Sequence, residues 1–129
     1  MAIHDTELAH EFVDVFDVVQ LTLETGLQSL VAADLVTVAP GSTSQIHRHN
    51  NADTVLYIIS GTGEIIVAEE AIPVRAGERV LVGKAVYHGV ITRADTMVFL
   101  SVQAPPILDK NSGHLDLEPA PTVPDDVAD

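Results

Sequence analysis

Short apolar segments separated by glycine and proline turns fill most of this chain, and they restrict it to a β-structure. The segments are rich in valine, isoleucine and threonine, which favour strands. They read FDVVQLTLE, LQSLVAADLVTV, TVLYIIS, EIIVAEE, AIPV, RVLVGKAVYHGVIT and DTMVFLSVQ, with turn signals at Pro40-Gly41 and Gly61-Thr62-Gly63. Such short strands and turns predict a mostly antiparallel sandwich or barrel. Only residues 5–13 (DTELAHEFV) have helical character, and they predict a short N-terminal helical segment.

Composition and charge exclude several classes of function. With 129 residues, 47% of them apolar, the chain can bury a single hydrophobic core, and the absence of cysteine excludes disulfides and thiol catalysis. The formal net charge is −13, and no lysine or arginine precedes Arg48. Such a chain repels phosphate backbones and anionic lipids, so we expect neither nucleic acid nor a membrane as a partner. Without a signal peptide or a membrane-spanning apolar run, a cytoplasmic location is expected.

Three histidines have the spacing of a metal site. His47 and His49 are two residues apart, and side chains at i and i+2 of a strand point to the same face. His88 closes the apolar segment VLVGKAVYH, from which a neighbouring strand can bring it to the first two. Neutral imidazole is a common protein ligand for Fe, Mn, Ni, Zn and Cu. The pattern therefore predicts a site for a divalent transition metal and leaves the identity of the metal open.

Two longer motifs contain these histidines. The first reads Gly41-STSQI-His47-Arg48-His49-NNAD-Thr54-VLYIIS-Gly61, and the second reads Gly77-ERVLV-Gly83-Lys84-Ala85-VY-His88-GVI-Thr92. In these motifs the chain resembles a small single-domain cupin of the conserved-barrel type, over residues 27–108. The resemblance implies an all-β, double-stranded β-helix (jelly-roll) barrel. It also implies a homodimer, formed through sheet faces or through exchange of the N-terminal strand FDVVQLTLE, which would otherwise be an exposed edge.

The resemblance also divides the chain. Residues 1–26 would form an N-terminal segment and strand, residues 27–108 the cupin barrel, and residues 109–129 a C-terminal extension. The end of this extension, PAPTVPDDVAD, contains three prolines and three aspartates and no aromatic residue, so an acidic, mobile tail is expected.

The chain departs from the family pattern at the position of the metal-binding glutamate. When the six-residue spacing to Gly61 is kept, this position holds Thr54, whose hydroxyl is a poor ligand compared with a carboxylate. Three interpretations stay open: the three histidines alone, the three histidines with Asp53 added, or no functional metal. Asp53 would reach the site only if the loop slipped by one residue, because strand parity turns it to the opposite face.

Strand parity places further residues around the site. Gln45 shares a face with His47 and His49. The last strand presents two alternating sets, of which one faces inward, and the more polar set would offer hydrogen bonds to a ligand. The two sets are Phe99, Ser101 and Gln103, and Val98, Leu100 and Val102. The arginines at positions 75, 79 and 93 are dispersed and predict no phosphate clamp, and the mostly aliphatic remainder predicts a small, apolar-walled cavity.

Three functions remain in competition. Three neutral imidazoles would leave a divalent ion with its full charge and open positions, which suits a small anionic chelating substrate such as an enolate, thiolate or carboxylate. Three-histidine cupins that resemble this one include iron(II) enzymes, so a non-heme metal-dependent dioxygenase is the first hypothesis. The alternatives are a non-catalytic ligand-binding or sensory cupin, and an isomerase or epimerase of a small sugar or acid. The last ranks lowest because no general base other than a histidine is visible.

Overall fold

The computed structural model describes residues 2–108 and 115–121 of the chain. These residues form eleven strands and no helix. The strands are β1 (Glu11–Val13), β2 (Phe16–Gln20), β3 (Ala32–Val38), β4 (His47–Arg48), β5 (Asp53–Ser60), β6 (Thr62–Val67), β7 (Glu70–Arg75), β8 (Arg79–Val82), β9 (His88–Ile91), β10 (Met97–Ala104) and β11 (Glu118–Pro119). Within this part of the chain, no helix is available that could cross a bilayer.

The strands form two antiparallel sheets with the hydrophobic core between them. The first sheet has six strands in the order β1-β2-β3-β10-β5-β8, and the second has five in the order β11-β4-β9-β6-β7. Alternate side chains of each strand point into the space between the sheets. The buried core consists of Val36, Val38, Leu56, Ile58, Ile65, Val74, Val82, Val90, Met97 and Phe99. The predicted all-β architecture of two antiparallel sheets is confirmed.

The turn between β5 and β6 moves the chain from the six-stranded sheet to the five-stranded sheet. Gly61 occupies this turn with φ = 80°, a left-handed conformation that other residues rarely adopt. A Cβ atom at this position would collide with the backbone oxygen of Thr96. Glycine is therefore required on two grounds, and the predicted Gly61-Thr62-Gly63 turn is confirmed.

The predicted N-terminal helical segment is wrong. Residues Glu11–Val13 instead form a hairpin with Phe16–Gln20, and Asp14 makes the turn with φ = 54°. Nine residues are too few for a helix without tertiary support, whereas aromatic and β-branched residues favour strands. β2 is consequently paired on both sides, by β1 and β3, so it is not the exposed edge that the sequence suggested.

Residues 115–121 return to the five-stranded sheet beside the first histidine motif. Glu118 and Pro119 pair with Arg48 and His47, and the backbone N–H of Ala120 donates to the carbonyl of Ile46 at 2.9 Å. Residues 109–114 and 122–129, which include most of the predicted mobile tail, lie outside the described residues. The described part of the C-terminal extension thus covers the strand that carries His47.

Candidate metal centre

Strands β4 and β9 bring the three histidines together. His47 and His88 are directly paired across these strands, and His49 follows one residue after β4. The ring centroids of His47 and His88 are 4.5 Å apart, and each lies 5.1 Å from that of His49. One ligand nitrogen from each ring lies within 4.8 Å of the others. The structure therefore gathers the three predicted residues in one group that could hold a metal ion.

A backbone carbonyl orients each imidazole through its Nδ1 atom. The acceptors are the carbonyl oxygens of Gln45 for His47 (3.2 Å), Val86 for His88 (3.0 Å) and Asp116 for His49 (2.7 Å). An Nδ1–H that donates to a carbonyl fixes the tautomer in which Nε2 keeps its lone pair. The rings therefore fit a divalent ion by donor chemistry as well as by spacing.

Burial keeps two of these rings in the neutral form that binds metals. Desolvation, which outweighs the hydrogen bond that His88 donates to the Val86 carbonyl, together with the neighbouring His47 and His49, lowers the pKa of His88 to about 4. Desolvation also lowers the pKa of His47, with a smaller contribution from His49. Because both pKa values lie below the ordinary value, neither ring carries a proton that a metal ion must displace near neutral pH.

Thr54, which the resemblance aligns with a metal-binding glutamate, carries a buried hydroxyl. Thr54 is 3% exposed, pairs with Gln103 on β10 and with Val82 on β8, and its Oγ1 atom has no hydrogen-bond partner among the described residues. Asp53 is exposed, and its Oδ1 accepts the backbone N–H of Lys84 at 3.0 Å. Strand parity thus directs Asp53 away from the histidines, and the structure does not support its addition to the site.

On strand β10, the more polar of the two alternating sets faces inward. Phe99, Ser101 and Gln103 are all at least nine-tenths buried on the inner face of β10. The Nε2 atom of Gln103 lies 3.4 Å from Nε2 of His49, and its Oε1 atom has no hydrogen-bond partner among the described residues. Gln103 is therefore the side chain of this set that contacts a histidine directly.

Gln45 contributes through its backbone rather than through its side chain, which is exposed. Its carbonyl orients His47, and its N–H donates to Oδ2 of Asp14 at 2.7 Å. Parity predicts that the side chain of Gln45 shares a face with His47 and His49, but residues 44–46 lie outside the strands, where alternation does not fix the direction of a side chain.

Two acidic residues near the site were missed in the sequence. Asp116 is buried, and its carboxylate accepts the backbone N–H groups of Asn50 at 2.7 Å and Asn51 at 2.9 Å. No local sequence pattern predicts this contact, because it joins segments that are more than sixty residues apart. Asp34 lies on the inner face of β3, and its two-residue spacing to the buried Val36 was a signal that could have been used.

The side chains of Arg48, Arg75 and Arg93 contact groups other than the histidines. The guanidinium of Arg48 stacks over the ring of Tyr87 at 4.9 Å and forms an ion pair with Glu118. Arg75 and Arg93 are less dispersed than the sequence suggested, because both line one surface groove of about 440 Å³. Arg93 there donates to Glu64 at 3.0 Å, so part of the positive charge in this groove is already compensated.

The double-sheet barrel and its histidine group define a class of small β-barrel proteins with a candidate metal centre. The sequence profile of the cupin domain matches residues 34–103, which is more than half of the chain. The chain therefore belongs to the cupin family. A search of curated proteins finds no match.

Solved structures share this fold at low sequence identity. A predicted oxalate decarboxylase from Thermotoga maritima is 18% identical, with a TM-score of 0.72 over 81% of this chain and 99% of that one. A tyrosine-to-phenylalanine variant of Streptomyces PAC13, solved with uridine, is 15% identical, with a TM-score of 0.73 over 96% and 95%. A candidate sugar phosphate isomerase from Acidithiobacillus ferrooxidans is 21% identical, with a TM-score of 0.67 over 77% and 68%. These identities show a common fold.

Proposed function

We propose that His47, His49 and His88 bind one divalent transition-metal ion through their Nε2 atoms, and that the ion binds a small anionic chelating molecule. The observation that carries this proposal is the set of three Nδ1 contacts to backbone carbonyls, which leaves the lone pairs on the three Nε2 atoms. Of these, Nε2 of His49 also has a long contact, 3.4 Å, to the amide nitrogen of Gln103. Iron, manganese, nickel, zinc and copper all accept such a donor set, and availability decides between them.

The charge of the site supports an anionic ligand. Thr54 supplies no negative charge, and Asp53 is turned away, so neither residue neutralises the ion. When bound, the ion would supply Lewis acidity toward a chelating anion and, as iron(II), the redox capacity needed to use dioxygen. Val82, which pairs with Thr54, and Val90, two residues after His88 on β9, are buried and add apolar surface on these strands, and the Gln103 amide can orient the ligand.

We further propose that the reaction is the oxidation by dioxygen of a small diketone, thiol acid or hydroxy acid. The support is the donor set of three neutral histidines without a carboxylate, which leaves positions for both a chelating substrate and a second molecule. The isomerase alternative is favoured by the name of the Acidithiobacillus ferrooxidans neighbour. The two differ in a measurable way, because an isomerase would convert its substrate without dioxygen.

The chain is further proposed to act as a homodimer that pairs through the outer face of the six-stranded sheet. Tyr57, Ile59 and Leu81 lie on this face and are 45%, 47% and 66% exposed. Large apolar side chains grouped on one face are unusual for a monomer and typical of an interface.

Metal analysis and ligand binding together test the proposed function. Protein prepared without a histidine tag is expected to hold one metal equivalent per chain, and the iron(II) form is expected to consume dioxygen with one of the acids above. A small chelating acid should also perturb the visible spectrum of the cobalt(II)-substituted protein. Conversion of substrate under strict exclusion of oxygen would favour the isomerase. Metal binding without ligand binding or turnover would favour the non-catalytic alternative.

A further inference from the structure

The inner face of the six-stranded sheet carries a group of polar side chains that extends from the histidines toward the end of the barrel. Thr54 pairs with Gln103 across β5 and β10, and Ser101 pairs with Asp34 across β10 and β3. Directly paired residues share a face of the sheet, and their diagonal neighbours lie about 7–8 Å apart. Asp34 is therefore a diagonal neighbour of Gln103, the residue that contacts His49.

Two polar atoms in this group lack the hydrogen bonds that buried atoms require. Oε1 of Gln103 and Oγ1 of Thr54 are both buried without a partner among the described residues. Leaving a buried polar atom unpaired is energetically costly, so folded proteins rarely leave one unpaired. Gln103 contacts His49 and Thr54 pairs with Gln103, so both residues belong to the polar group that begins at the histidines, and Oε1 can only accept a hydrogen bond. A bound ligand that carries hydrogen-bond donors would satisfy them.

Asp34 adds an uncompensated acidic group to the same face. Desolvation, and then the nearby charge of Glu11, raise the pKa of Asp34 to about 6. On the strands that flank β3, its direct partners Gln20 and Ser101 carry no charge. Near neutral pH the carboxylate is thus ionised, partly buried and next to a like charge, which is an unfavourable state that a ligand cation would relieve.

A small cavity lies beside this carboxylate. It measures about 50 Å³ and is lined by Asp34 and Ala32 of β3, by Gln20 of β2, and by residues of the 22–28 and 106–108 segments. None of the described residues that line it is basic. A volume of this size accommodates one or two water molecules or a single ammonium group, but no larger substituent.

We propose that this polar face is a substrate-recognition site in which Asp34 binds an ammonium group, so that the metal centre selects small chelating acids that carry an amine. The inference rests on the proposed function, because it assigns the anionic end of the ligand to the metal ion. Gln103 and Thr54 bind the donors of the ligand between its two ends. Asp34 is a specificity-determining residue that contacts the ligand, and it takes no part in binding the metal.

Calorimetric titration of zinc-loaded protein with two matched acids tests this assignment. The acids are α-hydroxyvalerate and δ-amino-α-hydroxyvalerate, which chelate through the same groups and differ by one terminal ammonium. Wild-type protein is expected to bind δ-amino-α-hydroxyvalerate at least about tenfold more tightly than α-hydroxyvalerate. A preference of this size is typical of one partly buried charge pair. Asp34→Asn should reduce this preference to less than about twofold.

Two controls keep the result interpretable. Glu70→Gln removes one negative charge from an exposed position on β7 and should keep the full preference. In wild-type protein, carbon NMR of the Asp34 carboxyl group should show that the pKa of Asp34 falls when δ-amino-α-hydroxyvalerate binds. The pKa should stay unchanged when α-hydroxyvalerate binds. This measurement requires no variant to fold.

The outcomes separate the two proposals. Equal affinities for the two acids, or a preference that survives in Asp34→Asn, would overturn the role of Asp34 and leave the proposed function standing. If neither acid binds protein that holds a full equivalent of zinc, the proposed function fails and the recognition site fails with it.

Discussion

The Nδ1 atom of His49 and the backbone oxygen of Asp116 lie 2.7 Å apart, although the two residues are 67 positions apart in the sequence. The carboxylate of Asp116 holds the loop after His49 as well, through the N–H groups of Asn50 and Asn51. One residue of the C-terminal segment thus fixes both the orientation of a candidate ligand and the backbone that carries it. Groups that orient metal ligands commonly make a measurable contribution to metal affinity.

Replacing Asp116 by asparagine should weaken metal binding about 10–100-fold, because one carboxylate acceptor becomes an N–H donor facing the loop. Metal affinity is measured by competition with a chromophoric chelator, alongside the stability of the metal-free protein. Glu118→Gln is the matched control, since it alters the same segment at a residue that pairs with Arg48 instead. A loss of stability without a loss of metal affinity would show that Asp116 supports only the fold.

Thr54→Glu should tighten metal binding and suppress turnover. The new carboxylate would stand at the position that the resemblance assigns to a metal-binding glutamate, add a charged donor and cancel part of the charge that attracts an anionic substrate. Thr54→Gln controls for the added volume, because it has a similar shape without the charge, and should not tighten binding. If Thr54→Glu and Thr54→Gln have equal metal affinities, the side chain at this position does not reach the ion.

Asp34→Asn should stabilise the protein at pH 8. The pKa of Asp34 is about 6 in the folded protein and 3.8 as its ordinary value, so the folded state disfavours the ionised form. This cost is absent below pH 3.8, grows as the pH rises, and is complete above pH 6. After allowance for partial exposure, the expected gain is about 1–2 kcal/mol at pH 8.

Urea unfolding at pH 8 and near pH 4 measures this difference. Near pH 4 the stabilisation of Asp34→Asn over wild type should fall to a small fraction of its value at pH 8, because Asp34 is then neutral in the folded protein and only about half ionised in the unfolded chain. A stabilisation of equal size at both pH values would contradict the raised pKa and indicate a packing effect. The exposed Glu70→Gln substitution should change neither value.

The proposed homodimer can be tested by introducing one charged side chain into its interface. Light scattering of wild-type protein at micromolar concentration should give a mass near twice 13.7 kDa. Leu81→Lys would place an ammonium on the outer face of the six-stranded sheet and should give the monomer mass, because a buried unpaired charge is costly. Leu30→Lys, at a similarly exposed leucine outside the strands, should leave the dimer intact. A monomer mass for wild type would exclude this assembly under these conditions.

The sequence predicted those features of the site that depend on strand periodicity. His47 and His49 share a face because they are two residues apart, and Phe99, Ser101 and Gln103 follow the same rule. The contact between His49 and Asp116 could not be predicted, because no periodic signal connects distant segments. The expected N-terminal helix failed because the pairing of β1 with β2 outweighed a weak local propensity.

Metal analysis of single-histidine variants tests the central claim most directly. His47→Ala, His49→Ala and His88→Ala should each weaken binding at least about 100-fold, since two neutral donors hold a divalent ion poorly. His10→Ala is the control, because His10 is exposed and pairs with Asp17 on β2, and it should keep one equivalent per chain. Wild-type affinity in all three variants would contradict the assignment, whereas loss of the metal in each of them, with His10→Ala unaffected, is the result that we predict.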